Sequence, residues 1–132
     1  MGGLMTFYGK TDGANTTGVF SLYSEYLVTP VNYIKLDMGL IAKIWAYRVA
    51  GEPCVVLVEV SVDGGSTYNT VGAIDLSSSG HVSEEKRRPI RIEGIAEAKN
   101  ALTYIRFRWS QSAPGESHIG IEIEFTEKDE ED

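Results

Sequence analysis

CVVLVEVSVDGGSTYNTVGAIDL, residues 54–76, is the stretch of sequence that decides the fold. Its first half places every second side chain on one apolar face, formed by Cys54, Val56, Val58, Val60 and Val62. Such period-two alternation is typical of a half-buried strand. Asp63, Gly64 and Gly65 then supply residues that tolerate the backbone angles of a tight reversal. The stretch therefore predicts a β-hairpin, with the second strand returning beside the first.

The rest of the chain repeats this pattern of short apolar runs separated by turn residues. Before the hairpin, strands are predicted near residues 4–8, 19–27, 31–38 and 40–49. After it, the strands near residues 102–109 and 119–125 alternate sharply, while residues 94–100 have some helical propensity. Eight or nine short strands with frequent turns predict an all-β fold, an antiparallel β-sandwich of the jelly-roll-like type.

Two of the predicted strands carry opposite charges on their polar faces. Arg106 and Arg108 alternate with apolar residues on one, and Glu122 and Glu124 do so on the last strand. If the two strands are neighbours, their arginines and glutamates would form cross-strand pairs.

Composition sets the class of protein. The chain has 132 residues, of which 42% are hydrophobic and 23% charged, so we expect one folded domain over residues 1–126. Residues 127–132 form a predicted acidic tail. The net charge of −7 argues against a nucleic-acid partner. No apolar run approaches the roughly 18 residues that would span a membrane.

Cysteine content and the N-terminal sequence bear on where the protein works. The single cysteine, Cys54, allows no internal disulfide and lies on an apolar strand face, which predicts a buried, inert thiol. The N-terminal sequence shows no signal-peptide pattern. We therefore expect either action inside the cell where the protein is made or export as part of an assembly.

A turn motif on the hairpin resembles a known one. Residues 61–68, SVDGGSTY, match the Asp-box pattern S-x-D-x-G-x-T followed by an aromatic residue, as found in sialidases and related propellers. The resemblance implies that Asp63 stabilises the turn through backbone amides. The motif occurs once here, so it implies a hairpin and not a sialidase activity.

Metal and nucleophile chemistry find little support in the sequence. His81 and His118 stand in or beside predicted loops without further ligands at metal-binding spacing. Asp12 and Asp63 could each join a calcium site, but no dense D-x-D-x-D cluster accompanies them. The sequence therefore predicts no metal, no cofactor and no catalytic residues.

Aromatic residues offer two alternatives. Trp45 and Tyr47 lie on one face of a strand beside Lys43, and Tyr23 and Tyr33 could be neighbours. The opposite face of the strand is also apolar, so alternation does not decide which face is inside. These residues either fill a core or subunit contact, or form a ligand platform of Trp45, Tyr47 and Tyr23.

The order of features from residue 42 to residue 125 resembles a β-sandwich of tailed-phage and other virion structural proteins. The shared features are an apolar strand, the VEVSVDGGSTY turn, the TVGAIDL strand, the YIRFR strand and a Ser/Gly turn before a closing strand. The layout is also similar to discoidin-like and galactose-binding-like domains. These motifs are structural, and the first 30 residues fall outside the resemblance.

The sequence is compatible with two functions. The first is a non-enzymatic virion structural protein, such as a head decoration or tail-accessory protein, that works as a homo-oligomer on a capsid or tail lattice. Its predicted contact segment is the apolar N-terminus, with Leu4, Met5, Phe7 and Tyr8. Deletion of residues 1–10 is then expected to abolish assembly and leave a folded monomer. The alternative is a carbohydrate-binding β-sandwich module.

Overall fold

Two antiparallel β-sheets pack face to face in the computed structural model, which describes residues 3–24, 27–76, 90–91 and 96–127. These residues form ten strands and no helix. The strands are β1 Gly3–Lys10, β2 Thr17–Val19, β3 Ile34–Lys35, β4 Leu40–Gly51, β5 Val55–Ser61, β6 Asn69–Asp75, β7 Ile90–Arg91, β8 Ala96–Glu97, β9 Tyr104–Ser110 and β10 Ser117–Glu127. The predicted all-β, antiparallel sandwich class is confirmed.

Sheet A has the strand order β1-β10-β4, and the two-residue strands β7 and β8 both pair with β4. Every residue of β1 is in register with β10, from Gly3 opposite Phe125 to Lys10 opposite His118. Strand β10 pairs with β4 along its whole length, with one irregularity between His118 and Ile119. The N-terminal strand is therefore an integral edge of the sheet.

Sheet B has the order β2-β9-β5-β6, and β3 also pairs with β9. The hairpin predicted from residues 54–76 is β5 and β6, so its interpretation is confirmed. Positive φ angles of 75° at Gly64 and 97° at Gly65 allow the reversal, because residues without a Cβ adopt them without strain.

The core lies between the two sheets and is built from alternate residues of the long strands. The fully buried side chains include Phe7, Ile44, Val56, Val58, Ile105, Phe107, Ile121 and Ile123. Cys54 is 1% exposed and belongs to this core, and burial raises the pKa of its thiol. At neutral pH the thiol is therefore held in its unreactive protonated form.

The structure corrects the expected charge pairing. Strands β9 and β10 lie in different sheets, so Glu122 and Glu124 do not face the arginines. Arg106 and Arg108 instead donate to the two carboxylate oxygens of Glu59 on β5, at 2.6 and 3.3 Å. Cross-strand pairing of opposite charges is present, and its acidic partner is Glu59, which is 8% exposed.

The structure also corrects the secondary structure expected for residues 96–97 and for Glu127. Residues 96–97 of the stretch predicted to have helical propensity form β8, opposite Ile41 and Ala42 of β4. Glu127, placed in the acidic tail by its sequence, is the last residue of β10, and residues 128–132 lie outside the described residues. Within the described part of the chain, no helix is present that could cross a membrane.

Candidate functional site

The outer face of sheet A carries a row of three tyrosines that runs across the strands. Inward positions of the sheet are fixed by buried residues such as Phe7, Ile121 and Ala46, which are mutual neighbours in register. Successive side chains of a strand point to opposite faces, so the next register row points outward. That row contains Tyr8, Gly120 and Tyr47.

Tyr23 extends this row beyond the edge of the sheet. Tyr8 and Tyr23 exchange two backbone hydrogen bonds, of 2.8 and 2.7 Å, in an isolated antiparallel bridge. Residues paired in this way present their side chains on the same face of the sheet. The side chains are 51% and 49% exposed. They therefore form an adjacent pair of accessible aromatic rings.

Tyr47 occupies the other end of the row, and glycine is required beside it. A Cβ added at Gly120 would collide with the Tyr47 ring, so the ring lies directly over the backbone of β10. Tyr47 is 4% exposed, although it faces away from the core. Its predicted role in an open platform is corrected: it forms a covered end of the row and offers little surface.

Trp45 lies in the next register row, beside the tyrosines. It is half-buried on the outer face of β4, opposite Glu122 of β10, which is itself opposite Thr6 of β1. The indole and the carboxylate thus flank the tyrosine row on one side. Of the three predicted platform residues, Trp45 and Tyr23 are accessible and share this face.

A cleft of about 300 Å³ opens on the other side of the tyrosine row. It is lined by Tyr8, Gly9, Lys10, Tyr23, Val49, His118 and Ile119. Glu116 lies beside it, 3.7 Å from Lys10 Nζ and 3.4 Å from His118 Nε2. The cleft therefore combines two aromatic walls with side chains that can donate and accept hydrogen bonds.

The residues predicted to contact a partner divide into three groups. Phe7 is 2% exposed and packs in the core, so it is not available to a partner. The side chain of Leu4 lies outside the described residues. Met5 is 37% exposed and Tyr8 is exposed in the row, and a partner role for these two stays a prediction.

One expected pair of neighbouring tyrosines is corrected. Tyr23 does not neighbour Tyr33, because Tyr33 lies beside β3 and stacks on Tyr104 of sheet B. The neighbour of Tyr23 is instead Tyr8, across an isolated antiparallel bridge. Sequence alternation places Tyr8 on the face opposite Phe7, but only strand order shows which aromatic residue lies next to it.

The candidate metal ligands are dispersed. Asp12 accepts hydrogen bonds from the backbone of Ala14 and Asn15, which lower the pKa of its carboxyl. The carboxylate of Asp63 accepts hydrogen bonds from Ser61 and Thr67 within its own turn. His81 lies outside the described residues. In the part of the chain that the structure describes, no three His, Cys, Asp or Glu residues cluster as a metal site would require.

Comparisons with known proteins add a distant similarity of shape. No protein-family model matches the chain, and no curated protein matches it. A solved structure of the CBM22-1 and GH10 modules of Clostridium thermocellum xylanase 10B with xylohexaose is similar at 12% identity and a TM-score of 0.48. The match covers 97% of this chain and 26% of the xylanase chain. A similarity this distant carries no information about function.

Proposed function

We propose that the protein is a non-enzymatic binding module that holds a carbohydrate on the outer face of sheet A. The observation that carries this proposal is the adjacent, half-exposed pair Tyr8 and Tyr23 beside a cleft with polar side chains. A sugar ring has apolar C–H faces and a rim of hydroxyl groups. It is complementary to aromatic rings flanked by hydrogen-bonding groups.

The arrangement supplies both kinds of contact without rearrangement of the backbone. Tyr8 and Tyr23 are held by paired main-chain hydrogen bonds, so their spacing is set by the sheet. Lys10 and His118 can donate to hydroxyl groups on one side, and Glu122 lies on the other side beside Trp45. Rigid aromatic contacts lose little conformational entropy when a ligand binds.

The test is binding of neutral oligosaccharides, first on a glycan array and then by titration that follows tryptophan fluorescence. Tyr8→Ala and Tyr23→Ala are each expected to weaken binding about tenfold, equivalent to about 1.4 kcal/mol, through loss of aromatic contact. Met38→Ala is the control, because Met38 is a large apolar residue that is 60% exposed but lies in the turn before β4, outside the lining of the cleft.

Two outcomes would contradict this function. One is the absence of any saccharide response from the folded protein. The other is equal weakening by Met38→Ala and Tyr8→Ala, which would show that the tyrosine row is not the contact surface. Thermal unfolding of each variant shows whether a loss of binding reflects a loss of fold.

We propose, as a second function, a structural role in a virus particle, which rests on the sequence resemblance and on the exposed edge of sheet B. Among the residues that the structure describes, strand β6 ends the sheet order, and five of its seven residues are exposed. An edge strand of this kind presents backbone groups that a strand of a neighbouring subunit can pair with. Weak contacts of this type add up on a repeating lattice.

A further inference from the structure

A second cleft, of about 350 Å³, lies on the outer face of sheet B. It is lined by Val19, Asn32, Tyr33, Gly64, Gly65, Tyr68, Tyr104 and Arg106. Strands β2 and β9, the hairpin turn and the segment before β3 all contribute to it. None of these residues belongs to the tyrosine row, so the two clefts are separate sites on opposite faces of the sandwich.

The aromatic walls of this cleft are fixed by their own contacts. Tyr33 and Tyr104 stack with ring centroids 4.7 Å apart and an angle of 21° between planes. The guanidinium carbon of Arg106 lies 3.8 Å from the centroid of the Tyr68 ring. Tyr33 remains 45% exposed. A ring-shaped ligand can therefore contact an aromatic surface that is already in place.

Arg106 is held in one orientation at the cleft. Its Nε donates to Glu59 Oε1 at 2.6 Å, while the Tyr68 ring supports the guanidinium plane. The bond to Glu59 uses one of the five N–H groups of an arginine, and the remaining four are on the η nitrogens. A planar guanidinium fixed at its Nε side matches the two oxygens of a carboxylate or phosphate.

Arg106 is the charged residue among those that line the cleft. On the wider face, Lys35, Arg106 and Arg108 are balanced by the carboxylates of Glu59, Asp63 and Asp75. Recognition of an anion therefore depends on the directed η N–H groups of Arg106 and not on a net positive field.

The hairpin turn keeps the cleft open. A Cβ at Gly65 would stand 3.5 Å from the Tyr68 hydroxyl and 3.6 Å from the Tyr104 ring, so any longer side chain would enter the space between the tyrosines. Ser61 and Asp63 hold the turn, through Gly65 N to Ser61 Oγ at 2.8 Å and Thr67 N to Asp63 Oδ1 at 2.9 Å. The Asp-box turn thus forms one rim of the cleft.

We propose that this cleft binds a sugar ring that carries one anionic group, with the ring against Tyr33 and Tyr68 and the anion on Arg106. A carboxylate and a phosphate share the required chemistry, since both present two oxygens in a plane to a guanidinium. Sugar acids and sugar phosphates are thus the two sources of such a ligand.

The experiment is a two-dimensional amide NMR titration with glucuronate, glucose 6-phosphate, glucose and inorganic phosphate. Glucuronate or glucose 6-phosphate is expected to shift the amides of Gly64, Gly65 and Tyr104 and to bind at least about tenfold more tightly than glucose or phosphate. The ratio of the affinity for the anionic sugar to that for glucose measures the contribution of the anionic group. The ratio to the affinity for inorganic phosphate measures the contribution of the sugar ring. The comparison between glucuronate and glucose 6-phosphate shows whether the ligand is a sugar acid or a sugar phosphate.

Arg108→Gln is the matched control for Arg106→Gln. Both arginines donate to Glu59, but only Arg106 lines the cleft. Arg106→Gln is expected to weaken binding of the anionic sugar at least about tenfold and Arg108→Gln less than about twofold. Arg106→Lys keeps the charge but loses the planar fork, so an intermediate loss is expected.

Several results would overturn the proposal: no shift of cleft amides by either anionic sugar up to about 10 mM, equal affinity for glucose or for phosphate, or equal losses in the two glutamine variants. Tyr8→Ala leaves this site intact while removing part of the tyrosine row. Failure of one site is therefore distinguishable from failure of the other.

Discussion

Asp63 shows how one side chain can fix a turn. Its carboxylate accepts from Ser61 Oγ at 2.6 Å, from Thr67 Oγ1 at 2.6 Å and from the Thr67 backbone N–H at 2.9 Å. These bonds to the charged form, the one from Ser61 foremost, hold the pKa of the Asp63 carboxyl far below its ordinary value. The Asp-box motif therefore stabilises the hairpin turn, which is the role that the resemblance to the Asp-box pattern implies.

The lowered pKa predicts that Asp63 stabilises the fold only where it is ionised. A carboxyl with a depressed folded-state pKa contributes stability above its unfolded pKa of about 3.9, and this contribution is lost as pH falls below that value. Asp63→Asn should therefore have a lower Tm than the parent near pH 7. The difference should shrink as pH falls from about 5 to about 2, as measured by thermal unfolding.

Asp37→Asn is the control for this measurement, because Asp37 is an exposed aspartate that makes none of the hydrogen bonds of the Asp63 turn. It should follow the parent at every pH. A gap between parent and Asp63→Asn that stays constant across the acid range would show that the charged form of Asp63 is not what stabilises the turn.

At the scale of elements, strand β1 has the role that differs most from expectation. It pairs with β10 over residues 3–10 and places Phe7, 2% exposed, in the core between the sheets. Further contacts tie it to the segment carrying Tyr23. A strand with these contacts stabilises the sandwich, whatever else its exposed face binds.

Deletion of residues 1–10 is therefore expected to unfold the protein rather than leave a folded monomer. Loss of a buried phenylalanine alone costs about 3–5 kcal/mol, a large part of the stability of a typical domain. Circular dichroism and urea unfolding measure this directly. Met5→Ser is the milder variant, since it changes a partly exposed side chain and keeps the strand.

A truncated chain that still unfolds cooperatively would contradict this account of β1. If Met5→Ser folds normally but loses contact with a partner, the N-terminal strand would serve both the fold and an interface.

At the scale of the whole molecule, the sandwich presents two different outer faces and an open edge. Sheet A offers the tyrosine row, sheet B offers the cleft that Arg106 lines, and β6 offers an unpaired side in the described part of the chain. The two proposed functions use different parts of this surface. The oligomeric state separates them, because a lattice component must associate through its edges whereas a binding module needs no second copy.

The lattice role predicts self-association that depends on β6. Light scattering after size-exclusion chromatography should then show an oligomer, and Val71→Lys should shift it toward the monomer, because a lysine on an edge strand opposes strand addition. Val62→Lys, at an exposed position of the turn, is the control and should leave the oligomer unchanged. A monomer at every concentration would argue against the lattice role.

The sequence by itself determined the local elements of this protein. Alternation in residues 54–76 was sufficient for the β5–β6 hairpin, and the Asp-box pattern was sufficient for the turn, because both depend on residues close together in the chain. The sandwich class followed from the number and length of such runs. The same periodicity identified Cys54 as a core residue, since the side-chain direction in a strand repeats every two residues.

Only the tertiary structure decided which strands are neighbours, and both candidate sites depend on that order. Tyr8 meets Tyr23, and Arg106 meets Glu59, across 15 and 47 residues of chain respectively. Alternation gives the face of a side chain but not the sheet or the partner beside it. For the same reason, Arg106 and Glu122 look like neighbours in sequence order but lie in different sheets, because strand pairing is set by packing of the whole core.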